Sequence, residues 1–145
     1  MYAATASPFS SRSSQGLSNA YRTVGVETGV EAASPHRLVA MLYDGAIEAI
    51  AQARGAMQAG QIELKGRAIG RAARIVDEGL RGNLDASSGG QLASGLGELY
   101  AYITRRLTHA NLHNDTAALD ECQRLLEPLR EAWASIAPQA GRAVR

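Results

Sequence analysis

Cysteine is nearly absent from this chain, and its scarcity already limits the class of protein. The single cysteine, Cys122, has no internal partner for a disulfide, which is typical of proteins that stay in a reducing compartment. The N-terminus lacks the basic start and apolar stretch of a signal peptide. No run of about 18 apolar residues is present, so no membrane insertion is expected. These absences predict a cytoplasmic protein.

Aromatic residues and an excess of either charge are also scarce. Aromatics make up 5% of the chain while alanine and leucine are abundant, which favours a helical core over a sheet. Fifteen basic residues against fourteen acidic residues give a net charge of +1, so no strong nonspecific attraction to nucleic acid or membranes is expected. A length of 145 residues suits one domain with a sizeable core.

Residues 1–33 have the composition of a mobile N-terminal arm. The first half is rich in serine and cannot bury enough apolar area to offset its ordering entropy. Leu17, Ala20, Tyr21 and Val24 then recur at helical spacing, which predicts a short amphipathic segment. Because so short a helix is unstable alone, it must pack on another surface.

Two helices are predicted next. Ser34 can accept a hydrogen bond from first-turn amides, and Pro35 suits the first helical position. Gly60 is a stop signal. A second apolar stripe runs through 62–84.

The third and fourth helices follow a Gly-rich turn. Ser88 and Gln91 form a capping-box pattern before the third helix. Asn114 or Asp115 can cap the fourth helix, in which Pro128 predicts a kink without a full break because the apolar spacing continues. The third apolar stripe contains Leu92, Leu96, Leu99, Ile103 and Leu107.

Four long helices joined by short turns predict an all-α fold. The expected architecture is an antiparallel up-down-up-down four-helix bundle over residues 34–138, preceded by the arm and followed by a frayed tail at 139–145.

No enzymatic or metal site is expected. No glutamate is followed three residues later by histidine, the pattern that di-iron bundles need. His109 and His113 have the spacing of a metal-binding pair but no third ligand within the bundle. His36 is expected at the surface, and Cys122 lies in an apolar stripe as a structural thiol. We therefore predict a protein without catalytic residues, metal or cofactor.

A helical nucleic-acid-binding module is the alternative. It would depend on four arginines near one face of the second helix, namely Arg67, Arg71, Arg74 and Arg81. Asp77 and Glu78 interrupt this stripe and no aromatic residues accompany it, so we expect no nucleic acid partner.

Glycine is unusually frequent inside the predicted helices. The eight positions are Gly45, Gly55, Gly66, Gly70, Gly79, Gly82, Gly95 and Gly97. Each costs a helix roughly 0.5–1 kcal/mol relative to alanine. Two interpretations remain open, namely close helix packing and a soft bundle whose helices can shift to accept a partner.

An ordered set of segments resembles the FliS family of flagellar secretion chaperones. The resemblance extends over about residues 16 to 138. The matching segments are SPHRL at 34–38, MLYDGAI at 41–47, GGQLA at 89–93, LYAYI at 99–103, RL at 106–107, AN at 110–111, ND at 114–115, LL at 125–126 and LREAW at 129–133.

The resemblance implies an antiparallel helical bundle and a function without catalysis. A protein of this family binds the disordered C-terminal region of flagellin in the cytoplasm and prevents premature polymerisation. It then delivers the subunit to the export gate protein FlhA. The free protein could also form a homodimer through exposed apolar surface.

Two groups of site residues follow from the resemblance. Family members carry an apolar residue and a tyrosine in the arm, so Leu17, Tyr21 and Val24 are the candidates for a lid that also docks at the export gate. The flagellin-binding groove is assigned to residues of the third helix expected to be exposed, with Ile75 opposite them on the second. The third-helix residues are Leu96, Tyr100 and Ile103.

Overall fold

The computed structural model describes residues 8–9, 16–19 and 34–136, with 86–88 by their backbone alone. The remaining arm and the predicted tail at 139–145 lie outside the described residues. All extended regular elements of the described part are helices, so the predicted all-α class is confirmed. We call residues 34–136 the helical body.

The first helix, α1, spans Pro35–Gln58 and has the predicted start and stop. The Ser34 hydroxyl accepts a hydrogen bond from the Arg37 amide at 3.1 Å, which satisfies an otherwise unpaired N–H. Gly60 has a φ of +73°, a conformation that glycine adopts without strain, and it ends the helix.

The second helix changes its hydrogen-bond pattern along its length. An α-helical part, α2, spans Ile62–Arg74, continues as a π-helix over Ile75–Leu80 and ends in a 3₁₀ turn at Arg81–Asn83. The Asn83 side-chain amide donates to the Gly79 carbonyl at 3.0 Å, which helps to satisfy the carbonyls left by this change. The apolar spacing had predicted one uniform helix, because periodicity does not report such a local change.

The third helix, α3, spans Ala86–His113 and is interrupted in its first turns. Gly90 has φ 59° and ψ −135°, values outside the helical region. The predicted capping box between Ser88 and Gln91 is therefore wrong, because that motif needs the intervening residues to be helical. Leu92 follows this break and is 54% exposed, contrary to its place in the predicted stripe.

The fourth helix, α4, spans Thr116–Ser135 and begins at one of the two predicted caps. The Asp115 carboxylate accepts a hydrogen bond from the Ala118 amide at 3.2 Å. The helix continues through Pro128 as predicted, and it buries Leu119, Cys122, Leu126 and Trp133.

Helices α1 and α4 run in opposite directions. At one end the Trp133 indole N–H donates to the His36 carbonyl at 2.9 Å, and the two rings stack 4.7 Å apart. At the other end Arg54 pairs with Asp120 at 2.7 Å. His36, which was expected at the surface, is half-buried, and its ring nitrogen also forms a hydrogen bond with the Trp133 carbonyl at 2.9 Å.

The four helices enclose one apolar core. Helix α1 packs on α2 and α4, and α3 packs on the same two helices. Within the core the Tyr43 and Tyr100 hydroxyls, from α1 and α3, share a hydrogen bond of 2.5 Å. Burial raises the pKa of both tyrosines and raises the pKa of the Cys122 thiol to about 12.

Four of the helix glycines fall into two groups by their surroundings. A Cβ added at Gly55, Gly66 or Gly95 would meet no neighbouring atom within 4 Å. A Cβ at Gly79 would lie 2.9 Å from the Leu42 side chain, which is fully buried and has little freedom to move. Close packing therefore explains Gly79, whereas the three open glycines lower helix stability without a packing gain.

Alanine substitution should separate these two groups. Each of Gly55→Ala, Gly66→Ala and Gly95→Ala is expected to raise the free energy of unfolding by about 0.5–1 kcal/mol. Gly79→Ala is expected to lower it by about 1 kcal/mol through overpacking against Leu42. Urea unfolding followed by circular dichroism measures both effects. A loss of stability in the three open positions would show a packing role for those glycines.

The buried thiol predicts a loss of stability at alkaline pH. In the unfolded chain Cys122 ionises near its ordinary pKa of 9.0, whereas in the folded protein the pKa is about 12. The stability that the neutral thiol contributes is complete below pH 9 and is lost as the pH rises toward 12. Urea unfolding at pH 8 to 11 under reducing conditions should show a shallower decline for Cys122→Ala than for the original protein. Equal slopes would contradict the assigned burial.

Candidate functional site

The arm contributes side chains to the core of the helical body. Residues 16–19 form a helical turn in which Leu17 is fully buried, and Leu17 belongs to the same apolar cluster as the buried residues of all four helices. Ser18 beside it is also buried. The core is therefore shared between the body and a segment that precedes it. The lid function of Leu17 stays a prediction, and Tyr21 and Val24 lie outside the described residues.

The candidate groove residues are brought together, but in the interior. Ile75, Tyr100 and Ile103 are fully buried members of the common apolar cluster, and Leu96 is half-buried at its margin. The expected exposure of Tyr100 and Ile103 is wrong. The hydrogen bond between Tyr100 and Tyr43 gives the phenol a partner inside the core, so this face of α3 turns inward. Their buried position does not test whether they bind the client, so that role stays a prediction.

Polar contacts join α3 to α4 beside this buried face. The Tyr102 hydroxyl donates to the Glu121 carboxylate, and the Arg106 guanidinium donates to the same carboxylate at 2.8 Å. These hydrogen bonds lower the pKa of Glu121, so the carboxylate stays charged through the neutral range. Because Tyr102 is half-buried while Tyr100 is enclosed, Tyr102 is the tyrosine of this pair that lies nearer the surface.

Three large apolar residues near the start of α2 and the end of α3 are exposed. Ile62 is 74% exposed, Leu64 is 41% exposed and Leu112 is 75% exposed. Lys65 is buried, and its ammonium donates to the Asn111 carbonyl at 3.0 Å, which joins the two helix ends. None of these three residues was a predicted site residue, because a single exposed apolar side chain gives no periodic signal in the sequence.

The structure gives no support to the alternative sites. The His109 ring lies 3.2 Å from the Asp115 carboxylate and beside His113, and no group of three metal-ligating side chains occurs among the described residues. In the arginine stripe, Arg81 is paired with Asp77 at 2.7 Å. No helix of the described part is both long and apolar enough to cross a membrane.

Comparisons with known proteins match most of this chain to one family. The family model described as flagellar protein FliS matches residues 17–140. The flagellar secretion chaperone FliS of Salmonella typhimurium is 46% identical over 121 residues, covering 83% of this chain and 90% of that protein. The flagellar secretion chaperone FliSB of Pseudomonas aeruginosa is 47% identical over 116 residues, covering 80% and 91%.

A more distant relative has the same name. The flagellar secretion chaperone FliS of Bacillus subtilis is 32% identical over 117 residues, which cover 81% of this chain and 85% of that relative. These proteins are chaperones and not enzymes. Because the family model and the relatives each match most of the chain, this protein belongs to the FliS family of flagellar proteins.

Proposed function

We propose that this protein is a flagellar secretion chaperone that binds the C-terminal segment of flagellin in the cytoplasm. It prevents premature polymerisation and carries the subunit to the export gate protein FlhA. Membership of the FliS family and relatives named flagellar secretion chaperones support this proposal. The balanced charge of the chain suits a partner recognised through apolar contacts.

The observation that carries the proposal is the burial of Leu17 in the common core. A leucine that is fully removed from water contributes roughly 1.5–3 kcal/mol, which is small enough for a competing segment to replace. When the arm leaves, the apolar surface beneath it loses its cover. An amphipathic helix of the client can then occupy that surface and fold as it binds. The arm therefore acts as a lid and as a competitor of the client.

The buried candidate groove fits this exchange. Ile75, Tyr100 and Ile103 belong to the same apolar cluster as Leu17, so they offer the client a surface that is already packed and oriented. Leu96 is half-buried and is the member that a client can touch before the arm has left. Binding then proceeds from the margin of the groove inward as the arm is displaced.

The open glycines make it easier for the helices to shift when a client helix binds. Gly55, Gly66 and Gly95 lie in three helices, α1, α2 and α3, and have no packing neighbour that would explain them. Helices weakened at such positions shift at a lower cost in free energy. The soft-bundle interpretation is therefore part of the proposed mechanism, beside the close packing at Gly79.

Release of the arm also provides a signal that the chaperone is loaded. Leu17 is buried when the arm is seated, so it can contact FlhA only after the arm has left. Tyr21 and Val24 belong to the same segment and complete the proposed docking surface. Because client and arm compete for one surface, a loaded chaperone presents this segment and a free chaperone hides it.

Substitution of Leu17 tests the competition. Leu17→Ala is expected to reduce stability by about 2 kcal/mol and to bind a flagellin C-terminal peptide several-fold more tightly, because the arm competes less well. Titration calorimetry at several temperatures measures the affinity and should give a negative heat-capacity change. Leu112→Ala, at an exposed leucine, is the matched control and should leave stability unchanged within about 0.5 kcal/mol.

Each result has a defined meaning. Weaker peptide binding by Leu17→Ala would place Leu17 in contact with the client and refute the lid. If the original protein fails to bind the peptide, the proposed function is wrong. Binding of FlhA to the loaded chaperone but not to the free one tests the docking signal. The molar mass of the free protein, measured by light scattering, decides whether it forms a homodimer.

A further inference from the structure

Two residues of the arm, Pro8 and Phe9, are seated on the helical body, and we call them the strap. The Pro8 carbonyl accepts a hydrogen bond from the Asp85 amide at 2.8 Å. Phe9 pairs with Leu84 as an isolated antiparallel bridge. Both strap residues are buried. Because backbone pairing fixes the direction and register of an extended segment, the strap has a defined seat.

An aromatic contact anchors the strap at the end of the body where α1 begins and α4 ends. The Phe9 ring lies edge-on to Trp133 with centroids 5.5 Å apart and planes at 78°, a favourable arrangement of two aromatic rings. Trp133 is held independently by its stacking on His36 and by its hydrogen bond to the His36 carbonyl. The surface that receives Phe9 is therefore built by the body itself.

A glycine allows the strap to approach the first turn of α3. A Cβ added at Gly89 would lie 2.6 Å from the Ala93 Cβ and 3.2 Å from the Pro8 Cα, both tighter than ordinary van der Waals contact. A larger residue would therefore clash with α3 itself and with the strap. We call the seat formed by Leu84, Asp85, Gly89 and Trp133 the strap pocket.

We propose that the strap pocket is a docking site for an extended segment in which a proline precedes an aromatic residue. Its occupant is the strap of the same chain. Three features select this ligand: the hydrogen bond that the Asp85 amide donates to the Pro8 carbonyl, the lack of a side chain at Gly89 and the ring of Trp133. The strap lies outside residues 17–140, the part that matches the family model, whereas the residues that form the strap pocket lie within it.

The strap has a consequence for the lid. Phe9 and Leu17 are eight positions apart, so seating Phe9 keeps Leu17 close to its place in the core and raises its effective concentration there. A client must then compete with two linked anchors instead of one. This consequence rests on the proposed function, whereas the docking site itself does not.

Trp133 is the single tryptophan of the chain and reports on the pocket directly. Full-length Phe9→Ala is expected to shift its emission to longer wavelength and to increase acrylamide quenching about twofold or more. Leu92→Ala, which removes an exposed leucine from the start of α3, is the control and should leave the emission unchanged. Unchanged emission in Phe9→Ala would overturn the proposal.

A synthetic peptide of residues 3–14 tests the docking site in trans. Added to full-length Phe9→Ala, it should restore the original emission in a saturable way, and the same peptide with Phe9 replaced by alanine should not. Saturable restoration by both peptides would show that the aromatic anchor is not selected and would refute the assigned ligand class. Failure of both peptides would refute docking in trans.

Hydrogen exchange in the unsubstituted protein provides a measurement that needs no variant. The Asp85 amide should exchange slowly because it donates to Pro8, and Phe9→Ala should accelerate its exchange about tenfold or more. Rapid exchange in the unsubstituted protein would overturn the seat. A tryptophan signal that depends on protein concentration, together with a dimeric mass, would assign the strap to a second copy and refute its assignment to the same chain.

Client binding separates the strap from the proposed function. Phe9→Ala should bind a flagellin C-terminal peptide about tenfold more tightly than the original protein. Equal affinity would show that the strap does not restrain the lid. Absence of binding to either protein would refute the proposed function, while fluorescence and exchange decide the docking site on their own.

Discussion

The apolar core of this protein includes side chains from outside its four helices, and the rest of the structure depends on this shared core. Leu17 and Phe9 come from the arm, yet both are buried with the core residues of the body. Apolar area that the arm covers is area that water would otherwise reach, so the arm stabilises the free protein. In the proposed function the same area binds an apolar helix of the client. Stability of the free protein and affinity for a client then arise from one surface.

Polar contacts within and around the core fix how the helices are arranged. The Tyr43–Tyr100 hydrogen bond joins α1 to α3 across the interior, and the reciprocal bonds between His36 and Trp133 join α1 to α4 at one end. A buried hydroxyl or indole without a partner would cost free energy, so each pair favours one register of its helices. These fixed points limit the movement that the open glycines allow.

The class of fold and most helix boundaries could be predicted from the sequence, because capping residues and apolar spacing act locally. Ser34, Gly60 and Asp115 each occupy the position that their chemistry predicts. The break at Gly90 was not predictable from composition, since glycine is also tolerated in regular helical conformation. The π-helix was missed for a similar reason, because it preserves the apolar face while its hydrogen-bond pattern changes.

The candidate site could be predicted only in part, because residue type does not report which face of α3 turns inward. Tyr100 and Tyr102 have the same side chain and neighbouring positions, but one bonds to Tyr43 in the core and the other to Glu121 nearer the surface. Phe9 gave no signal at all, since its serine-rich surroundings have no periodicity. Its seat depends on Trp133, a residue 124 positions away, and no local pattern encodes a contact of that range. The burial of the arm residues thus depends on contacts between residues that are far apart in the sequence, and in the proposed function a client acts by displacing these contacts.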